Sequence, residues 1–207
     1  MENLERYAAH FDAKYPNYAD VRYAEIAKIV NRYDSNDAEI LIASASFKEC
    51  VAIIQPVIAI KNYKSQVPFP EDLLSAVETV VALRKADVDP SDQFKNLDSL
   101  FNKLELIQGF QLPTISAIFH FSHPSSFPIV DRNVQAACKI LIDRNQELAN
   151  LDYPTIPASS ASSRKKFEKY RHFVQVIDRI KEVHPEGPLK NSYRSMDKAL
   201  MVLGSQN

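Results

Sequence analysis

The residue type and setting that could do chemistry in this chain meet at Asp131, one carboxylate at the expected mouth of a helix in the run Phe127-Pro128-Ile129-Val130-Asp131-Arg132-Asn133-Val134. A helix N-terminus leaves backbone N–H groups without intrahelical partners, so a lone acid beside it marks a place where an anion or a reacting group can be held. Upstream, Leu106 to Pro113 (LIQGFQLP) reads as a helix end, a tight turn at Gly109 and a second helix opened by Pro113. Such a turn points backbone amides outward. Taken alone, Asp131 also fits an ordinary N-cap and Gly109 an ordinary helix C-cap. His120 and His123 have the spacing of two metal ligands, but no third ligand accompanies them, which favours core packing for His120 and solvation or a phosphate contact for His123. Arg164-Lys165-Lys166, continued by Lys169 and Arg171, reads as a solvated helix face or as a phosphate-contacting patch.

The elements that must position these residues are helical. Apolar residues recur at helical spacing over 3–14 and 20–33, separated by Tyr15-Pro16-Asn17. The cap cluster Asp34-Ser35-Asn36-Asp37 precedes a stretch that is apolar on most faces, expected as a central helix, with a further short helix over 57–64. Helices are predicted over about 71–83, 93–107, 113–121, 132–148, 164–183 and 192–203, with 153–163 as a loop. That makes nine to eleven helices and an all-α fold. Three glycines in 207 residues and no sustained two-residue alternation argue against a sheet-rich chain.

Composition bounds the function class. The formal net charge is −1, but residues 160–207 carry 10 Lys/Arg against 5 Asp/Glu while residues 1–99 carry 11 against 16. A chain polarised in this way can hold a basic face against nucleic acid. Two cysteines, Cys50 and Cys138, suit neither a disulfide framework nor a four-cysteine metal or iron–sulfur site, and a reducing, cytoplasmic location is expected. No apolar leader or uncharged span of 18 residues stands out, so neither export nor membrane insertion is expected.

The order of helix, LIQGFQLPTISAI hairpin, loop, FPIVDRNV and helix resembles the helix-hairpin-helix DNA glycosylase superfamily (HhH-GPD), which includes endonuclease III and the 8-oxoguanine glycosylases. Gly109 matches the first glycine of that family's hairpin, Ile115-Ser116-Ala117 follows its pattern of hydrophobic and small residues, and Phe127–Val134 matches its aspartate segment. Tyr193–Leu200 is similar to a terminal helix of uncharacterised members. The likeness is sharp over about 95–140. The chain departs from the pattern at Pro113, where bifunctional members carry the lysine that forms a Schiff base, and at Gln111, where the second hairpin glycine stands. The Ser/Gln-Gln-Thr segment of the central helix is not found in 40–47, and the terminal iron–sulfur cysteines are missing.

The resemblance implies a two-lobed helical domain spanning 1–207, one lobe of about 37–125 and the other of about 1–34 plus 131–207, with Asp131 at the seam. It implies a monofunctional glycosylase that flips a damaged or modified base out of duplex DNA and hydrolyses its N-glycosidic bond, with Asp131 stabilising the oxocarbenium-like sugar and orienting water. DNA contacts are then expected from Gly109, Phe110, Gln111, Leu112 and Thr114 of the hairpin, from Arg132, and from Lys165 and Lys166. No cofactor and no iron–sulfur cluster are expected, although the hairpin leaves room for a monovalent cation. The partner is double-stranded DNA, with the protein a monomer; the family mechanism also implies a residue that fills the gap left by the base, for which the turn at 44–48 is a candidate. The alternative is a non-catalytic glycosylase-like module that binds DNA or another protein.

Overall fold

A computed structural model describes residues 3–16, 20–31, 71–86, 94, 97–106, 110–184, 189 and 192–206. Among these residues the chain is all-α, with nine helices and no strand: α1 (Leu4–Ala9), α2 (Phe11–Lys14), α3 (Asp20–Asn31), α4 (Glu71–Lys85), α5 (Asp98–Glu105), α6 (Leu112–Ser122), α7 (Arg132–Arg144), α8 (Ser163–Val183) and α9 (Tyr193–Gly204). The expected helices over 37–56 and 57–64, the turn at 44–48 and Gly109 lie outside the described residues. So does much of the proposed lobe of 37–125.

Local chemistry sets the helix ends. The apolar pattern over 3–14 predicts one helix, but the chain breaks at His10. There the imidazole Nδ1–H donates to the Arg6 carbonyl at 2.6 Å, and the His10 backbone N–H turns instead to Tyr7 O at 3.1 Å. A side chain has taken the acceptor that a continuous helix would use. Likewise α7 stops at Arg144, short of the expected Leu148, because the Asn145 side chain accepts from Glu147 N at 2.9 Å and starts a turn closed by Leu148 N to Asn145 O. Ser162 caps α8 through Lys165 N, and Ser192 caps α9 through Ser195 N.

Two packing centres follow. In one, α9 lies between α7 and α1. Gly204 lets α9 approach the first turn of α7 so closely that an added Cβ would stand 1.8 Å from the Asn133 carbonyl oxygen. Arg194 and Lys198 of α9 join the N-terminal helices: Arg194 pairs with Asp197 at 2.9 Å and Asp20 at 3.5 Å, and Lys198 with Asp20 at 2.6 Å and Asp12 at 3.5 Å. The Arg194 guanidinium also lies over the rings of Phe11 and Tyr23. In the other centre, α5 packs on α8 and α4 around an aromatic cluster of Phe94, Phe101, Phe119, Phe127, Phe167 and Tyr170, whose contacting rings stand 5.2 to 6.4 Å apart. The helix α6, nine of whose residues are buried, runs between the two. No helix among the described residues is long and apolar enough to cross a membrane.

Candidate functional site

The site is built upward from α6. Its sequence, LPTISAIFHFS, is apolar on almost every face, so the few polar side chains it carries are taken inside the protein and must find partners there. Ser116 accepts from Val130 N at 3.1 Å and donates to Pro113 O at 2.8 Å. His120, fully buried, donates from Nδ1 to the Phe127 carbonyl at 2.7 Å, which leaves Nε2 to accept from the Tyr23 hydroxyl at 2.8 Å. From α8, the buried Tyr170 hydroxyl donates to Pro128 O at 3.0 Å. Residues 127, 128 and 130 are thus each held through the backbone by a different side chain, and Phe127, Pro128, Ile129 and Val130 are all buried.

This pinned segment delivers Asp131. The residue is half-buried and extended (φ −152°, ψ −171°), and its Oδ1 accepts from Val134 N at 2.9 Å as the N-cap of α7. Gly204 of α9 backs the same turn through Asn133. Two supports are therefore independent: the loop enters the helix from α6 and α8, and α9 presses on its first turn. Held in this way, a carboxylate can stabilise positive charge developing beside it or orient a water molecule without first being ordered itself.

The hairpin is described from Phe110 onward. Gln111 is the N-cap of α6 without a side-chain cap bond, and Pro113 occupies the first turn, as the sequence predicts. Phe110, Leu112 and Thr114, expected to contact DNA, are only 1–2% exposed with their backbone included and so offer almost no surface, while Gln111 is half-buried. The helix before the hairpin ends at Glu105, which accepts from both Lys166 and Ser163 of α8. Burial alone would raise the Glu105 pKa, but these two hydrogen bonds outweigh it and hold the carboxyl below its ordinary value.

That contact divides the basic run. Lys166, expected to reach DNA, is instead 2% exposed and committed to Glu105, because it falls on the face of α8 that meets α5. Lys165 is exposed, and so is Arg164, which pairs with Glu168 at 3.0 Å. Arg132, the first residue of α7, is also exposed. His123 donates through Nε2 to the Leu83 carbonyl at 2.6 Å, so it ties the loop to α4. The structure therefore joins Asp131 to the first turn of α6 through Ser116, and the N-terminal turn of α8 to the hairpin's entrance through Glu105.

Ser116, His120 and Tyr170 were not legible as parts of the site. Their signal in the sequence is a polar group set in an otherwise apolar helical face, which says that a partner is needed without saying which. Among the described residues no group of three or more His, Cys, Asp or Glu side chains is placed to hold a metal ion. A hairpin-bound monovalent cation would involve Gly109 and so falls outside the described residues.

Residues 1–183 match a family model described as a family of unknown function, DUF6308. No curated protein and no solved structure matches the chain. The match takes in α6, Asp131 and all of α8, and the chain belongs to this family of unknown function, DUF6308.

Proposed function

We propose that the protein is a monofunctional DNA glycosylase. The observation that carries this reading is the single carboxylate of Asp131 at the N-terminus of α7, on a segment pinned by Ser116, His120 and Tyr170 and preceded by a hairpin resembling that of the helix-hairpin-helix glycosylases. As the C1′–N bond of a flipped nucleotide breaks, the sugar gains positive charge that the carboxylate stabilises, while a water molecule adds its oxygen to C1′. The departing base leaves with a proton from that water, and an abasic site remains. Position 113 is proline, and Lys166 is held by Glu105, so neither supplies an amine for Schiff-base chemistry and the backbone stays uncut. Arg132 and Lys165, both exposed, and the half-buried Gln111 are the proposed contacts to duplex DNA phosphates, with the protein acting as a cytoplasmic monomer.

The test is incubation with duplexes that carry a panel of oxidised, alkylated and deaminated bases, with and without subsequent alkali. The proposal expects strand breaks only after alkali. Breaks without alkali would contradict the mechanism. A second reading, a non-catalytic module that keeps the glycosylase shape, is favoured by the use of Asp131 Oδ1 as a helix cap and by the withdrawal of Lys166 from the surface. Salt-dependent DNA binding with no base released from any duplex would select it.

A further inference from the structure

A second site lies away from Asp131, where α1, α2 and the end of α9 enclose a cleft of about 600 Å3 lined by Arg6, Tyr7, His10, Ala13, Lys14, Val202 and Gln206. Its volume falls in the roughly 300–1,000 Å3 range of small-molecule sites. The three basic residues come from α1 (Arg6), the break between the helices (His10) and the end of α2 (Lys14). All three line the same cleft. Arg6, His10 and Lys14 are exposed, and none has an ion-pair partner among the described residues. Among the described residues no carboxylate side chain lines the cleft. His10 spends its Nδ1–H on the Arg6 carbonyl, a bond that fixes the ring with Nε2 turned away from its own backbone. The cleft is also lined by half-buried Tyr7, beside Arg6 on α1, and by buried Val202 of α9, while Gln206 adds an amide.

We propose that this cleft binds a small organic phosphate whose anionic group meets Arg6 and Lys14 and whose planar or apolar body lies against Tyr7 and Val202. A bidentate guanidinium and a neighbouring ammonium match a phosphate group, and an aromatic wall adds nothing for a bare ion but stabilises a ligand that carries a ring. The site does not depend on the glycosylase reading. It shares no residue with the surroundings of Asp131, from which it is separated by the last turn of α9.

Isothermal titration of the full chain with adenosine 5′-monophosphate, inorganic phosphate and adenosine tests this. Saturable one-to-one binding of the monophosphate is expected, at least tenfold tighter than either the phosphate or the nucleoside alone. The double variant Arg6→Ala/Lys14→Ala should weaken it at least tenfold without changing the thermal midpoint, since both side chains are exposed, and Asp131→Asn should leave it unchanged. Failure to saturate, or equal affinity in the double variant, would overturn the site. Equal binding of inorganic phosphate or of adenosine would overturn the assignment to an organic phosphate.

Discussion

At the scale of single residues, polar groups that the apolar helix α6 has drawn inside hold the segment before Asp131. Tyr23 shows how tightly they are held. Burial pushes its phenol up to about 12 from 10.0, against the nearby Arg194, which works in the opposite direction. The folded state therefore favours the protonated phenol, and its hydroxyl is the donor that His120 Nε2 requires. Because the folded pKa is raised, this stabilisation is complete below pH 10 and is lost as pH rises from 10 to 12. Chemical denaturation between pH 9 and 12 should show wild-type stability falling through that window, with a shallower fall in Tyr23→Phe. That variant should also be less stable at pH 7, by about 1–2 kcal/mol, since a buried hydrogen bond to His120 is removed. An equal slope in both proteins would contradict the buried network.

The difference between Lys165 and Lys166 belongs to the same scale. Both stand in one basic run, and composition treats them alike. What separates them is about 100° of rotation around α8, which leaves Lys165 in solvent and turns Lys166 onto Glu105. The phase of the apolar positions Phe167, Tyr170 and Phe173 was readable from the sequence. That Glu105, some sixty positions earlier, would supply a carboxylate at that face was not.

At the scale of elements, the helices and most of their ends were legible because the periodicity is strong and the stop signals are ordinary: Pro113 in the first turn of α6, Ser162 and Ser192 as caps, and an apolar stripe on α8. The misses came where a side chain competed for a backbone group, as at His10 and Asn145. Two contacts between elements carry predictions. Gly204→Ala should destabilise the protein by about 1–3 kcal/mol or more, since the new methyl meets the backbone at Asn133, which has little freedom to withdraw. The displaced first turn of α7 should also disturb Asp131, visible as faster amide exchange at Val134. A Gly204→Ala protein as stable as wild type would deny the close approach.

The second contact is the pair of Lys166 and Glu105, which locks α8 to the helix that enters the hairpin. Lys166→Ala leaves a partly buried carboxylate behind and should cost about 2–4 kcal/mol, whereas Lys166→Met with Glu105→Gln should recover much of that loss. Urea unfolding of the two variants checks this. Since Glu105 is held below its ordinary pKa of 4.5, its contribution is present above that value and fades as the pH falls through the lowered one. The acid sensitivity of wild type should accordingly be reduced in the double variant.

At the scale of the whole molecule, the all-α architecture follows from the scarcity of glycine and the helical spacing of apolar residues, and the structure bears it out. Pro113 in the first turn of α6 and Asp131 at the mouth of α7 were legible because they are local signals, while Gly109 lies outside the described residues. The supports of Asp131 were not legible. Ser116, His120, Tyr170 and Gly204 act across 14, 7, 42 and 71 positions, and nothing local encodes those pairings. The net charge of −1 likewise conceals the separation of an acidic first half from a basic end, and the burial of Lys166 reduces the cations which that end can offer to a phosphate backbone.

The central claim is that Asp131 acts as a catalytic carboxylate in addition to capping α7, and one substitution separates these roles. Asparagine caps a helix about as well as aspartate, so Asp131→Asn should keep its thermal midpoint within a degree or two of wild type, while Asp131→Ala should lose about 1 kcal/mol. Single-turnover base release by the asparagine variant, from whichever lesion duplex wild type processes, is therefore the decisive measurement. We expect the rate to fall at least a hundredfold with folding and DNA binding intact, an effect of order 3 kcal/mol on the barrier. A rate equal to wild type would contradict the account.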